Sequence, residues 1–547
     1  MSPRAPRVGG TRAVGRRLAS SRRSPCQNQL PLTALSPDTV APAARHAPTT
    51  APVLPARRVL PPTVGRRLPA HPAAPSRGEA LRDSLAALLG SRALVWMAGV
   101  GTILLFGFGP ARGVFDPRAL TSGFGYVGNL LAAPAARWDG AWYLTIAHYG
   151  YLPQLGRFTV SRAAFFPLYP LLVAVVSAAG LAGALAGVIV SLLGLLAALY
   201  GLHRLVALEL AEERLRVSWR SGRWEGAGRR ERGAGGGVLR LQRGEPAVSD
   251  ARRVARLAVV LIAVAPMALF LSADYSESLY LALSIGVFLS ARRGRWLWVG
   301  VLGGLAAATR STGVVLLAPA LVLYLYGPRA DMRMAAARAG APSAGRRLGR
   351  LRAALRPRFA LRRDVLWLAL IPLGLLAFMG YLWLAGGEAL APLHAQALWG
   401  RHFAGPFVAA FDGAKAACEG ARQLLSGQSS HLYFPLEGNS PSIEAGRNIM
   451  LFAFLALAVP ASIGVLRRLP LAYGVYVLAA LALPLSYPVA TQPLMSLPRF
   501  LLVLFPLFIW LAACLASRPA ARALVLAVSL ALLVFFTGQF STWHWVA

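Results

Sequence analysis

Long apolar runs alternate with polar segments along the chain and predict a bundle of membrane-spanning helices. The first run covers 91–109, close to the roughly 20 residues that a helix needs to cross a bilayer. Five later runs of similar length predict further spans, over 364–386, 449–466, 470–487, 499–516 and 521–538. The intervening segment 110–165 is amphipathic and interrupted by Gly and Pro, so it predicts short interfacial helices in an outer loop.

Two other apolar stretches, 257–291 and 296–326, are interrupted midway by a polar motif. The first contains Ser272–Ser278 and the second contains Thr309–Gly313. Since a polar insertion is costly inside a bilayer, each stretch predicts a helical hairpin with the motif at its tip.

The crossing number of 166–206 stays open at the level of sequence. Its length favours two helices, whereas the charge pattern requires an odd number of crossings. A half-inserted interfacial element over Phe166–Ser177 would reconcile the two.

Composition supports a polytopic membrane protein over three or four soluble domains. Of the 547 residues, 56% are hydrophobic and 14% are charged. We therefore predict an all-α membrane domain over 84–540, preceded by a tail at 1–83. That tail is rich in Pro and Arg, has no apolar period, and is expected to be disordered and cytoplasmic.

The net charge of +36 is confined mostly to three segments. Residues 1–83, 207–256 and 327–363 carry net charges of +11, +5 and +10. Segments of this kind are typical of the cytoplasmic side, whereas 387–448 is close to neutral and is expected outside. Because the basic residues mark membrane orientation, nucleic-acid binding has little support.

The richest candidate chemistry lies in the segment Arg137–Tyr151. Trp138, Trp142 and Tyr149 recur at helical spacing and predict a short interfacial helix with Asp139 at its start. The carboxylate could accept a proton from a hydroxyl. It could also be a helix cap beside an aromatic anchor, and composition alone favours this second interpretation.

Charged residues at predicted span ends form a second group of candidates. Glu277 and Arg310 occupy the two hairpin tips, and Arg499 lies at the outer end of a span. A guanidinium can hold a phosphate, but Arg499 could also snorkel to the interface, and Glu277 or its neighbour Asp274 could form a structural ion pair. The histidines of the outer loops match no tight metal-ligand spacing, so no metal site is predicted, although a divalent ion remains possible.

Several of these motifs in combination resemble the PIG-V family of mannosyltransferases. The resemblance is carried by Trp138-Asp139, Trp142-Tyr143-Leu144, Phe165-Phe166-Pro167-Leu168-Tyr169-Pro170, Tyr275-Ser276-Glu277-Ser278-Leu279, Ala308-Thr309-Arg310-Ser311-Thr312-Gly313, and Gln396, Trp399, Arg401 and Pro406 in the large outer loop. It extends over about 91–540.

The resemblance implies a GT-C glycosyltransferase, a membrane bundle of roughly 10–13 helices. A polyprenyl-phosphate mannose would be the donor, a glycolipid or glycan hydroxyl the acceptor, and Asp139 the general base for transfer with inversion. The residues implied in substrate binding are Trp138, Trp142, Tyr143, Tyr275, Glu277, Arg310, Gln396, Trp399, Arg401 and Arg499. The site would face the extracytoplasmic side of the cell membrane.

Two alternatives remain open from the sequence. A GT-C enzyme could transfer another sugar, such as an arabinosyl or rhamnosyl unit. A transporter or flippase of lipid-linked saccharides would also be a multi-helix membrane protein, although transporters usually show repeat symmetry and midplane polar groups.

Overall fold

The computed structural model describes residues 75–109, 119–151, 160–220, 247–329, 357–430 and 440–547. These residues are mainly helical, and the only pairing of extended backbone between two of them is an isolated bridge between Arg401 and Val489. Five helices are long and apolar enough to cross a membrane: Arg77–Phe106, Gly183–Leu210, Arg363–Gly386, Pro441–Arg468 and Pro519–Ser541. The predicted all-α membrane protein is confirmed at this level.

The α-helices are numbered here in chain order. They are α1 (Arg77–Phe106), α2 (Gly125–Ala132), α3 (Asp139–Tyr149), α4 (Leu168–Ser177), α5 (Gly183–Arg220), α6 (Ala247–Ala263), α7 (Glu277–Arg292), α8 (Trp296–Thr309), α9 (Leu317–Tyr326), α10 (Leu370–Gly386), α11 (Ala391–His394), α12 (Val408–Ser426), α13 (Pro441–Arg468), α14 (Leu471–Ser486), α15 (Leu497–Leu502), α16 (Phe505–Leu515) and α17 (Pro519–Ser541). Short 3₁₀ segments cover Val160–Ala164, Ala268–Leu271, Ser311–Leu316, Arg363–Ala369 and Ala395–Trp399.

Helix α1 begins well before the span predicted at 91. Ser76 is its N-cap and forms a capping box with Glu79, which satisfies two backbone N–H groups at the helix start. The first turns are polar because they pack against α6, where Arg252 contacts Glu79 and Asp83 at 2.6 and 3.1 Å. Residues 1–74 of the expected tail lie outside the described residues. The end of that tail, from Arg77 to Asp83, forms the first turns of α1.

The segment 166–206 forms two helices of very different length. The ten residues of α4 correspond to about 15 Å, half the hydrocarbon thickness of a bilayer, whereas α5 is long enough to span. The expected half-inserted element over Phe166–Ser177 therefore agrees with α4, and one crossing is left for α5.

Both predicted hairpin tips are breaks between helices. α7 begins at Glu277, and α8 ends at Thr309 with Arg310 in extended conformation. The break after α6 exposes carbonyls inside the bundle, and Arg92 of α1 satisfies them: its guanidinium donates to the Ala263 and Ala268 oxygens at 2.8 and 2.7 Å. The buried arginine thus fixes the segment that leads into α7.

The two ends of α7 carry separate charged clusters. Glu277 is its first residue and Arg292 its last, about 22 Å apart along the axis. Arg292 pairs with buried Glu209 of α5, which also accepts a hydrogen bond of 2.7 Å from the Tyr473 hydroxyl of α14. The cluster at the Arg292 end clamps three helices, and the cluster at the Glu277 end is described next.

Candidate active site

Four charged side chains from distant parts of the sequence meet at the Glu277 end of α7. The Arg499 Nη1 atom lies 2.8 Å from Oδ2 of Asp139, and its Nε atom lies 3.0 Å from Oε1 of Glu277. Arg310 Nη1 approaches the same Glu277 oxygen at 2.6 Å. We call Asp139, Glu277, Arg310 and Arg499 the charge cluster.

Helix ends explain why these charges are stable at these positions. Asp139 and Glu277 are the first residues of α3 and α7, where the unpaired N–H groups and the helix dipole favour a negative charge. Arg310 directly follows the last residue of α8, where the dipole favours a positive charge. The helix ends therefore favour the sign of charge at three of the four residues of the cluster.

The bonds within the charge cluster are not all alike. Arg499 donates a well-aligned hydrogen bond to Asp139, whereas the contacts of Arg499 and Arg310 to Glu277 are ion pairs without hydrogen-bond alignment. Within the described residues, Asp139 Oδ1 has no hydrogen-bond partner. One carboxylate oxygen is therefore held by the protein and the other is left to accept a hydrogen bond.

The charge cluster is buried but still reachable. The Glu277 side chain is 1% exposed, whereas Asp139 and Arg499 keep 13% and 11% of their side-chain surface exposed. The Arg499 guanidinium also lies over the rings of Phe270 and Tyr275, with distances of 5.4 and 5.3 Å to their centroids. The Asp139 and Arg499 side chains are thus partly accessible to a ligand. Glu277 is buried and pairs with Arg499 on its inner side.

A third guanidinium, that of Arg401, lies close to the charge cluster, in the segment between α11 and α12. Arg401 and Arg310 contact the Phe500 ring at 5.9 and 5.5 Å from its centroid. Arg401 is held by the carbonyl oxygens of Tyr487 and Met495 at 3.3 and 2.9 Å, and no carboxylate within the described segments pairs with it. Burial and nearby Arg499 lower the pKa of Arg401 to about 10, so it stays cationic at neutral pH.

The charged residues of the site sum to a net positive charge. Arg310, Arg401 and Arg499 carry three positive charges against the two carboxylates of Asp139 and Glu277. Among these five residues, one positive charge is therefore uncompensated in a largely buried environment, where an anion would be strongly attracted. This arrangement favours an anionic ligand.

Aromatic side chains of the predicted site fall into two groups. Trp142 stacks on Phe165 with centroids 5.9 Å apart, and Trp399 contacts both rings at 6.4 and 5.9 Å. Trp138 instead packs against Trp543 and Trp545 at 5.8 and 5.3 Å. The expected interfacial anchors therefore contact other aromatic rings of the protein.

Two tyrosines of the candidate set are buried beside the charge cluster. The Tyr143 hydroxyl lies 2.8 Å from the Ser276 hydroxyl, which joins α3 to the segment before α7. The Tyr275 hydroxyl accepts from the Asp139 backbone N–H and donates to the Arg137 oxygen, both at 3.0 Å. These contacts link the two motifs that were 136 residues apart in sequence.

Other candidates lie outside the charge cluster. Gln396 is half-buried in the 3₁₀ segment that ends at Trp399, and its carbonyl accepts from the Arg401 N–H at 3.1 Å. Asp274 is fully buried, and neither carboxylate oxygen has a hydrogen-bond partner in the described structure. Within the described residues there is no group of three His, Cys, Asp or Glu side chains that could hold a metal ion.

Sequence reasoning did not identify four aromatic residues that shape this region. Phe165 opens the Phe165–Pro170 motif and Phe500 directly follows Arg499, so their neighbours in the sequence were an available signal. Trp543 and Trp545 follow the last apolar run by a few residues, and nothing in their spacing pointed to Trp138. Only tertiary packing brings them there.

Two comparisons with known proteins identify no relative of this chain. A scan against protein-family models finds no match. A search of curated proteins likewise finds no significantly similar relative.

Proposed function

We propose that this protein is a membrane glycosyltransferase that moves a mannosyl unit from a polyprenyl-phosphate mannose to an acceptor hydroxyl. The observation that carries the proposal is the Asp139–Arg499 pair within a site that has one uncompensated positive charge. A proton acceptor and a phosphate-binding group are the two elements that such a transfer needs, and here they are in direct contact. The motif resemblance to the PIG-V family supports the same reaction.

Asp139 is the proposed general base. Its Oδ1 atom would accept the proton of the acceptor hydroxyl while the hydroxyl oxygen forms a new bond to the anomeric carbon of mannose. The bond from that carbon to the phosphate oxygen breaks on the opposite face, so the configuration inverts from β to α. The electron pair leaves with the lipid phosphate.

Arginines are proposed to stabilise the leaving phosphate. Arg499 and Arg310 belong to the charge cluster, and Arg401 adds a charge that pairs with no carboxylate of the described residues. Preformed cationic groups in a water-poor site stabilise a developing phosphate charge without having to reorganise. Glu277 holds two of the guanidinium groups in place through its ion pairs.

Aromatic residues are proposed to orient the sugar and lipid parts of the donor. Trp142 and Trp399 are partly exposed and pack around Phe165, close in sequence to Tyr143 and Arg401. Aromatic faces of this kind pack well against the apolar side of a pyranose ring. A GT-C bundle of roughly 10–13 spans is the corresponding fold proposal.

We propose that the charge cluster faces the extracytoplasmic side. Glu209 belongs to the Arg-rich segment 207–256 and Pro328 to the Arg-rich segment 327–363, and both contact Arg292 at the other end of α7. Such segments are typical of the cytoplasmic side. A site at one end of α7 also suits surface chemistry on a lipid-linked donor better than transport, which usually uses a midplane site.

The proposal is tested by incubating the purified full-length protein with radiolabelled polyprenyl-phosphate mannose and a membrane extract. The expected result is an alkali-stable, α-mannosidase-sensitive labelled product. A parallel incubation with polyprenyl-phosphate arabinose distinguishes a transferase for another sugar. Absence of transfer from every lipid-phosphate sugar would refute the transferase and favour a carrier of such lipids.

A further inference from the structure

The residue before Asp139 has an unusual backbone conformation. Trp138 has φ 53° and ψ −120°, and the Gly140 N–H donates to the Arg137 oxygen at 3.1 Å across it. These angles are those of the first central position of a type II′ turn, where glycine is the usual residue. A side chain at this position costs about 1–3 kcal/mol, and such strain persists only when surrounding contacts hold it.

The Tyr275 hydroxyl bridges the two sides of this strained residue. It accepts from the N–H of Asp139 and donates to the carbonyl of Arg137, both at 3.0 Å. Tyr275 is 1% exposed, and a phenol has a single hydrogen to donate. Since that hydrogen is used by the backbone, the hydroxyl is not available to donate to a ligand at the same time.

The indole of Trp138 is held from its other side by the end of the chain. Trp543 and Trp545 meet it edge to face, at interplanar angles of 71° and 84°. Trp543 is 2% exposed and lies under the Arg137 guanidinium, 4.6 Å from its ring centroid. The turn is thus fixed at its backbone by Tyr275 and at its side chains by two tryptophans.

We propose that Tyr275, with Trp543 and Trp545, is a positioning device that directs the Asp139 carboxylate. The strained turn sets where α3 begins, and therefore where its first side chain points toward Arg499. Tyr275 and Trp138, which the motifs suggested as substrate contacts, then act through Asp139. This inference rests on the proposed function for its kinetic test, but its structural test is independent of activity.

The kinetic test uses Tyr275→Phe, which keeps the ring and removes the hydroxyl alone. We expect kcat for mannosyl transfer to fall at least about tenfold, with the donor KM little changed, because misplacement of a catalytic group slows the chemical step. Tyr473→Phe is the matched control, since its buried hydroxyl donates to Glu209 at the other end of α7. A raised KM with unchanged kcat, or no kinetic effect, would overturn the proposal.

A rescue series tests the strain itself. In the Tyr275→Phe background, Trp138→Gly and Trp138→Ala both remove the indole, but glycine alone adopts the turn angles without strain. We expect the glycine variant to have the higher kcat. Equal kcat values for the two variants would contradict a role of backbone strain and favour direct substrate contact by the indole.

Hydrogen exchange provides the readout that needs no substrate. In Tyr275→Phe the Asp139 amide loses its acceptor, so its exchange should become at least about tenfold faster in peptides covering 137–146, while Tyr473→Phe leaves it unchanged. Unchanged exchange in Tyr275→Phe would refute the positioning device. Faster exchange in Tyr275→Phe, together with no transfer by the wild-type protein, would refute the proposed function alone and leave the positioning device intact.

Discussion

Arg499 donates a hydrogen bond of 2.8 Å to Asp139 although 360 residues separate them in the chain. Asp139 is the first residue of α3, and Arg499 lies within the short helix α15. The pair joins the segment that follows α2 to the last third of the chain. Its partners Glu277 and Arg310 join two further segments at the same point.

Asp139→Asn tests the proposed base. The amide cannot accept the hydroxyl proton, so we expect kcat for transfer to fall at least about 100-fold, within the range for loss of general-base catalysis. Steady-state transfer assays measure this, and size-exclusion chromatography verifies folding. Asp412→Asn makes the same chemical change in α12, outside the charge cluster, and should retain wild-type kcat. Near-full activity of Asp139→Asn would exclude Asp139 as the base.

Arg499→Gln tests the contribution of the ion pairs to folding. Removing the guanidinium leaves Asp139 and buried Glu277 without this partner, which is expected to lower stability by about 3–5 kcal/mol. Thermal unfolding in detergent should show a clearly lower melting temperature than wild type. Adding Asp139→Asn should recover part of the loss, since it removes one uncompensated charge. Strictly additive losses would mean that the two side chains do not interact energetically.

Arg401→Gln tests the uncompensated positive charge. We expect the Kd for a polyprenyl monophosphate, such as undecaprenyl phosphate, to rise about tenfold or more, because a charge-assisted contact to the anion is lost. Binding to the protein in lipid nanodiscs can be followed by competition with labelled lipid phosphate. Arg422→Gln is the control, since Arg422 is exposed on α12. If Arg401→Gln and Arg422→Gln bind the lipid phosphate with equal affinity, Arg401 is not part of the anion site.

Gly374→Ala tests the close crossing of α8 and α10. A Cβ atom at Gly374 would lie 1.9 Å from the Gly304 carbonyl oxygen, so the helices would have to separate. We expect destabilisation of about 1–3 kcal/mol, seen as a lower melting temperature. Gly380→Ala on the same helix meets no atom within 4 Å and should leave the melting temperature unchanged or slightly higher. A lower melting temperature for Gly380→Ala than for Gly374→Ala would contradict the close contact of α8 and α10.

Local sequence patterns were sufficient to locate most of the charged residues of interest. The breaks at Glu277 and Arg310 are where polar motifs interrupt apolar runs, and the start of α3 follows the aromatic spacing after Trp138. The alternative of a structural ion pair for Glu277 agrees with its contacts to Arg310 and Arg499. The alternative of Arg499 snorkelling to the interface does not, since Arg499 points at two carboxylates.

The bounds of the first helix and the crossing of 166–206 were harder to predict. The first turns of α1 are polar, so they fall outside the apolar run that predicts the span. They are charged because Arg252 of α6 pairs with Glu79 and Asp83. The apolar composition of α4 resembles that of a span, and only its termination at Ser177 shows that it is short. A partner far along the chain thus decided where α1 begins, and a local turn decided where α4 ends.

The sequence by itself determined the membrane class of this protein, its helical content and the side-chain types available for chemistry, because hydropathy and helix periodicity are local properties. Tertiary structure alone decided that Asp139 pairs with Arg499, that Arg401 adds an unbalanced positive charge, and that Tyr275 bridges the turn at Trp138. These relations join residues from 86 to 360 positions apart. They depend on how helices pack around buried charges, for which hydropathy and local spacing carry no signal.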